Sequence, residues 1–275
     1  MATQIITLTT DFGQSDSYVT QMKGVMLTIN PNVYFIDATH AIPPQDVLRA
    51  AVVLTELIDA FPDGTIHLAV VDPDVGSNRR IVGIEVGSQR FVGPDNGLFA
   101  LVTRRVAPDR IVQLTEKAFW RQPQSATCPI ANTFHGRDIM APVAAHWSLG
   151  RDLIEFGELI DGLLGDVSHR RPHKVSDTII GEVLWVDRFG NLITNIEVSD
   201  LPKPITDCLT VQIGKRRITG IHQFYGQQCE GNFVATIGSS GHLEIAVNRG
   251  NASELLQVGV GQALRVFECE SAEDE

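Results

Sequence analysis

"HLAVVDPDVGSNRRIVGIEV", residues 67 to 86, holds two apolar runs split by a polar hinge. Leu68 to Val71 read as a strand buried on both faces, because four successive apolar residues leave no side for water. Two aspartates, a proline and a glycine stop that strand, and all four are turn formers. Arg79 and Arg80 then precede a second apolar run, Ile81 to Val86.

The same two textures recur on either side. "IITLTT" (5–10), "VYFID" (33–37), "TIHLAVV" (65–71), "IVGIEV" (81–86) and "RFVG" (90–93) have the length and apolarity of strands. Between Tyr18 and Asn30, Tyr18, Met22, Val25, Met26 and Ile29 fall on one helical face, and "DVLRAAVVLTELIDAF" (46–61) forms a second helix closed by "PDG". "GLFALVTRR" and "DIMAPVAAHWSLG" (138–150) add two more. This alternation predicts an α/β domain over residues 1–165, with a largely parallel sheet flanked by helices. The polar "DVSHRRPHKVSD" (166–177) reads as a linker. Over 178–275 short runs such as "TIIGEVLWVD", "NLITNIEV" and "HLEIAV", bounded by Gly, Asn and Ser, predict a small β-barrel or sandwich with no helix. The tail "ECESAEDE" reads as a frayed, solvated end.

Composition narrows the function. A formal net charge of −11 argues against a nucleic-acid surface, which needs clustered Lys and Arg. No apolar stretch is long enough to span a bilayer, and "MATQIITLTTDFG" lacks the basic and apolar regions of a signal peptide. Cys128, Cys208, Cys229 and Cys269 show no paired metal spacing, so reduced thiols in a cytoplasmic protein are expected.

Polar residues gather where strands end. Asp11 follows the first strand and Asp72 the third; Asp95 and Asn96 sit in "VGPDNG"; His135, Arg137 and Asp138 precede a helix. In a parallel sheet the ends of strands one and three open on one edge, so Asp11 and Asp72 face one cleft. Singly, each has an ordinary reading: the aspartates as turn formers, Asp138 as a helix cap, Arg79 and Arg80 as a solvated pair. Jointly they make a site. The remaining histidines (His40, His67, His146, His169, His173, His222 and His242) read as structural or surface residues.

The blocks "LTTDFGQSDSYVTQMKGVM", "VVDPDVGSNRR", "VGPDNGLF", "TFHGRDIMAPVAAH", "DRFGNLITNI" and "SSGHLEIAVN" resemble the S-adenosylmethionine hydroxide adenosyltransferases, siblings of the fluorinase and chlorinase enzymes. The resemblance runs in order from about Ile5 to about Val258. It implies the barrel for the C-terminal domain, and hydrolysis of S-adenosylmethionine to adenosine and methionine without cofactor or metal. It also implies a homotrimer whose active site joins the N-terminal domain of one subunit to the C-terminal domain of the next. The family's catalytic Asp, Arg and His fall on Asp72, Arg79 and His135. Asp11 would take the ribose hydroxyls, Phe134, Phe189 and Asn191 the adenine, and Asp187 and Ser239 the methionine end, with Glu244 a weaker candidate. Phe224 or Tyr225 would cover the base. Fluorinase has a tyrosine at the position of Asp72 and "FYS" at 134–136, where this chain has "FHG", and a halogenase tryptophan position holds Gln45 here. Two other readings stay open: a metal-dependent phosphohydrolase built on Asp72 and Asp74, and a non-catalytic nucleoside binder.

Overall fold

In the computed structural model, which describes residues 4–122, 130–167, 171–203, 205 and 208–268, the apolar runs pair into two sheets, one in each of two units, 1–167 and 168–275. Cys128, His169, Cys269, part of the expected linker and nearly all of the acidic tail lie outside the described residues.

The first unit runs β1 (Ile5–Thr10), α1 (Tyr18–Ile29), β2 (Tyr34–Thr39), α2 (Val47–Leu57), β3 (Ile66–Val70), β4 (Ile81–Val86), β5 (Gln89–Pro94), α3 (Ala100–Arg105), β6 (Arg110–Leu114), α4 (Ala141–Ser148) and β7 (Gly157–Leu159). The sheet order is β2-β1-β3-β5-β4-β6-β7. Pairing is parallel across β2, β1, β3 and β5, and antiparallel from β5 through β4 and β6 to β7. The expectation of a largely parallel sheet therefore holds for half of it only. Val86 faces Gln89 across a two-residue turn, and a connection that short can join only antiparallel strands. Strands β6 and β7 are too short and mixed in character to stand out in the sequence.

Strand β3 shows why the sheet is buried on both sides. Leu68 and Val70 enter a core with Ile6, Leu8, Met22, Met26 and Trp147, while Ala69 and Val71 enter another with Leu54, Ile84, Phe91 and Phe99. His67 lies in this wall, bonded to Thr7 Oγ1 (2.8 Å) and stacked on Phe91 (ring centroids 4.8 Å apart). Burial pushes its pKa down to about 4, so it is a neutral core residue, as the sequence reading held.

Arg79 and Arg80 are not a solvated pair. Arg80 donates to Asp95 Oδ2 through Nε (2.8 Å) and Nη2 (2.5 Å), and Asp95 also accepts the backbone N–H of Leu164 and Gly165. The Asp95 side chain is 1% exposed. It staples the β5 end to the 162–165 loop.

The second unit contains β8 (His173–Val175), β9 (Thr178–Val186), β10 (Leu192–Glu197), β11 (Leu209–Ile213), β12 (Arg216–Thr219), β13 (Ile221–His222), β14 (Phe233–Ile237), β15 (His242–Val247), α5 (Ala252–Leu256) and β16 (Ala263–Glu268). The order is β12-β11-β16-β9-β10-β15-β14-β13, with β8 also on β9. The nine-residue β9 gives its first half to β16 and its second to β10, which curls the sheet. Strand β12 returns beside β14, with the Arg216 guanidinium 4.4 Å from the Phe233 ring centroid. Two expectations change here. The helix α5 exists, capped by the Asn251 side chain on the Glu254 N–H (2.9 Å), and β8 lies inside the span read as linker. Among the described residues, no helix is long and apolar enough to cross a membrane.

Replacing Asp95 by Ala strands a buried guanidinium and two N–H groups. Urea unfolding of Asp95→Ala is expected to show a loss of about 3–5 kcal/mol, against less than about 1 kcal/mol for Arg104→Ala, whose partner Asp166 is exposed.

Candidate active site

Strand β1 lies parallel to β3, Thr10 opposite Val70, so Asp11 and Asp72 leave the sheet at the same edge. After Val71 the chain makes two turns, Val75 N–H to the Asp72 carbonyl (3.3 Å) and Ser77 N–H to the Asp74 carbonyl (3.1 Å). They swing Arg79 back onto Asp72. Gly76, at φ +86°, permits a tight approach: a Cβ there would stand 2.6 Å from the Asn132 carbonyl oxygen. Asn96 Nδ2 donates to the Val71 carbonyl (2.9 Å) and so pins the strand end next to Asp72.

Arg79 grips Asp72 with two donors, Nε on Oδ1 (2.5 Å) and Nη2 on Oδ2. Their side chains are 7% and 4% exposed. Nη2 also lies 3.1 Å from His135 Nδ1. A guanidinium has no acceptor, so the imidazole accepts at Nδ1 and carries its own proton on Nε2. Burial lowers the His135 pKa and the Arg79 cation lowers it further, against smaller opposing effects of Asp72 and Asp138. The ring is neutral at pH 7. Arg79 Nη1 is buried and has no hydrogen-bond partner among the described residues.

His135 stands at the head of a π-helical turn, Gly136–Met140, that runs into α4. Such turns widen the helix and re-aim the residue at its start. Asp138, within the turn, is fully buried. It accepts Arg121 Nε (2.5 Å), Arg137 Nε (2.7 Å) and Nη2 (2.9 Å), and the Ala131 N–H (2.7 Å). Burial opposes its charge, but the bonds from Arg137, Ala131 and Arg121 together prevail and hold its pKa below the ordinary value. It is more than the helix cap that its position in the sequence suggested. Asp74, by contrast, is exposed and holds no side-chain bond with Asp72 among the described residues.

Beside this group Phe134 is largely buried, edge-on to Phe12 (5.8 Å between ring centroids) and Tyr18 (5.3 Å), with the Arg137 guanidinium 5.0 Å from its ring. Tyr18 is the exposed ring of the three. Phe12 was not singled out in the sequence and Tyr18 was read only as part of the apolar face of the first helix, although "DFGQSDSY" places two aromatics beside Asp11. Asp11 Oδ2 accepts the Gln45 N–H (2.8 Å).

The second unit carries its own cluster. Asp187 spends both oxygens in the β9–β10 turn, Oδ1 on the N–H groups of Phe189 and Asn191 (2.8 Å each) and Oδ2 on Asn191 Nδ2 (2.9 Å). The turn displays Phe189 at 75% exposure. Tyr225 Oη donates to Glu244 Oε1 (2.7 Å), while the Phe224 ring and Ser239 are exposed. Burial raises the Glu244 pKa and nearby Asp187 raises it further, only partly offset by the Tyr225 bond. Among the described residues, no group of three or more His, Cys, Asp or Glu side chains is arranged to hold a metal ion.

Residues 6–157 match the SAM hydroxide adenosyltransferase N-terminal domain and residues 181–265 the C-terminal domain of the same family. The chain is 40% identical over 260 residues to an (R)-S-adenosyl-L-methionine hydrolase of Thermus thermophilus, covering 94% of this chain and 97% of the relative. An enzyme of the same name from Salinispora tropica is 37% identical, covering 95% and 97%. The crystal structure of an uncharacterized conserved protein from Thermotoga maritima superposes with a TM-score of 0.87 at 33% identity, covering 96% of this chain and 100% of that one.

Asp138→Asn keeps the shape of the clamp and removes its charge. At neutral pH a loss of roughly 3 kcal/mol in urea unfolding is expected. Because the folded-state pKa is depressed, the wild-type advantage exists above the ordinary value of 3.8 and closes as pH falls below it; unfolding curves across that range check both the size and the sign.

Proposed function

The chain belongs to the SAM hydroxide adenosyltransferase family, and we propose that it hydrolyses S-adenosylmethionine to adenosine and L-methionine, as relatives named for that hydrolysis do. Those names specify the R configuration at the sulfonium, and we extend that preference to this chain. The carrying observation is the buried Asp72–Arg79–His135 group, which leaves the Arg79 Nη1 donor unclaimed among the described residues.

The oxygen of one water attacks the ribose C5′. The C5′–S bond breaks, its electron pair neutralises the sulfonium, methionine departs, and the water gives up one proton. Bulk water has a pKa of about 15.7. A guanidinium about 4 Å away at an effective dielectric near 20 contributes roughly 4 kcal/mol, or about 3 units. Arg79 therefore orients and polarises the water but makes no standing hydroxide at neutral pH. The proton leaves as the C–O bond forms, when the attacking oxygen has become strongly acidic. With His135 Nδ1 facing Arg79 and a proton on Nε2, Asp72 is the acceptor and His135 a donor that orients. In-line placement at C5′ supplies much of the remaining rate.

Asp11 is read as holding the ribose hydroxyls, and the Phe12, Tyr18 and Phe134 rings as the apolar wall nearby. Asn191 and the displayed Phe189 would meet the adenine, and Asp187, Ser239 and Glu244 the methionine end. This division calls for a homotrimer in which neighbouring copies share each site; the family resemblance supports it, and sedimentation equilibrium tests it.

Incubation with each sulfonium epimer in ¹⁸O-labelled water, with chromatography and mass spectrometry of the products, is the deciding experiment. Label in the adenosine 5′-hydroxyl, faster turnover of the R epimer and indifference to a chelator are expected. Release of neither product sinks the reading in favour of a binder. Asp72→Asn is expected to lower kcat by about a hundred-fold or more while substrate still binds. Since the His135 pKa lies below the ordinary 6.5, kcat/KM is expected to stay level through neutral pH and fall only below that value, as the ring charges against Arg79.

A further inference from the structure

The loop that carries Asp11 is held from behind by the connection between β2 and α2. Thr10 Oγ1 bonds His40 Nδ1 (2.9 Å), the Gly13 N–H donates to the His40 carbonyl (2.8 Å), and the Phe12 N–H donates to Thr10 Oγ1 (3.3 Å). Behind the ring, His40 Nε2 lies 3.0 Å from Asp37 Oδ1, off the axis of a good hydrogen bond, so this contact is chiefly one of charge and dipole. Asp37 Oδ2 takes the Lys23 ammonium of α1 at 2.7 Å. A line of polar groups thus runs from the surface of α1 through a buried imidazole to the end of β1. Five residues after His40, Gln45 donates its N–H to Asp11 Oδ2 (2.8 Å), at φ +67°, a backbone conformation that residues with side chains adopt rarely.

An apolar side chain of similar volume would fill the space of His40 without the cost of burying a polar ring. What the imidazole adds is direction: it fixes the Thr10 hydroxyl, and through it and its own carbonyl it sets the backbone from Thr10 to Gly13. We propose that His40 is a positioning residue for the nucleoside end of the substrate, holding the Asp11–Phe12 loop in register with the strained Gln45 segment. This rests on the reading of Asp11 as the ribose ligand. The Asp72–Arg79–His135 group hangs on other loops, so loss of His40 acts on binding and spares the chemical step.

The test pairs His40→Leu, which removes both ring contacts, with His40→Asn, whose amide reaches the Nδ1 position and keeps the Thr10 bond. Adenosine affinity by calorimetry and KM and kcat for hydrolysis are measured for each. His40→Leu is expected to weaken adenosine binding and raise KM about ten-fold, one buried hydrogen bond's worth, with kcat little changed. His40→Asn is expected to recover most of that loss. If His40→Leu does not fold, Thr10→Val and Thr10→Ser repeat the comparison from the other side of the bond. Unchanged adenosine affinity in His40→Leu, or in Thr10→Val, overturns the proposal. So does a lower melting temperature with no selective rise in KM, or a fall confined to kcat. A wild-type protein that neither binds adenosine nor releases it defeats the hydrolase reading itself, and this proposal with it.

Discussion

The bidentate contact of Arg79 with Asp72 is the interaction on which the rest of the site depends. Taking both charges out of water costs several kcal/mol, and their mutual attraction repays this only in good geometry. The protein invests heavily in that geometry. Two turns reverse the chain between the partners, Asn96 pins the strand before Asp72, and Gly76 lets the loop lie against Asn132. A buried ion pair seldom contributes much net stability. What this one supplies is a fixed guanidinium with one nitrogen to spare and an imidazole held in a single tautomer.

The same device recurs around it. Asp95 takes Arg80, Asp138 takes Arg121 and Arg137, and each buried carboxylate also collects backbone N–H groups from a neighbouring loop. In a chain of net charge −11, these arginines are committed to particular loops and do not form a basic surface. Their carboxylates convert flexible connections at one sheet edge into a frame, and His135 and Arg79 hang on it. Side chains held in this way lose little further entropy when they engage a ligand. The second unit works differently. Its turn aspartate, Asp187, accepts two backbone N–H groups and the Asn191 amide of its own turn, which fixes the turn and displays Phe189, an apolar ring left in water.

Much of this was legible in the chain. The double-sided burial of β3 follows from its unbroken apolar run, and the strand-end position of Asp11 and Asp72 from where such runs stop. The placing of Asp72, Arg79 and His135 in one set came from resemblance of whole blocks, since their spacing carries no such information. The antiparallel half of the sheet was missed, although the two residues between "IVGIEV" and "QRFVG" exclude a crossover and could have revealed it. The helix α5 escaped because five residues show no period.

Apolar period and turn chemistry are properties of neighbours along the chain, and so the sequence by itself determined which segments are buried strands, where they end and which polar residue types stand at those ends. Which nitrogen of His135 faces Arg79, 56 positions away, was decided by the tertiary structure alone. So were the full burial of Asp138 and the engagement of His40 with Thr10. A hydrogen bond chooses its partner by distance and direction in space, and neither is written in the spacing of residues.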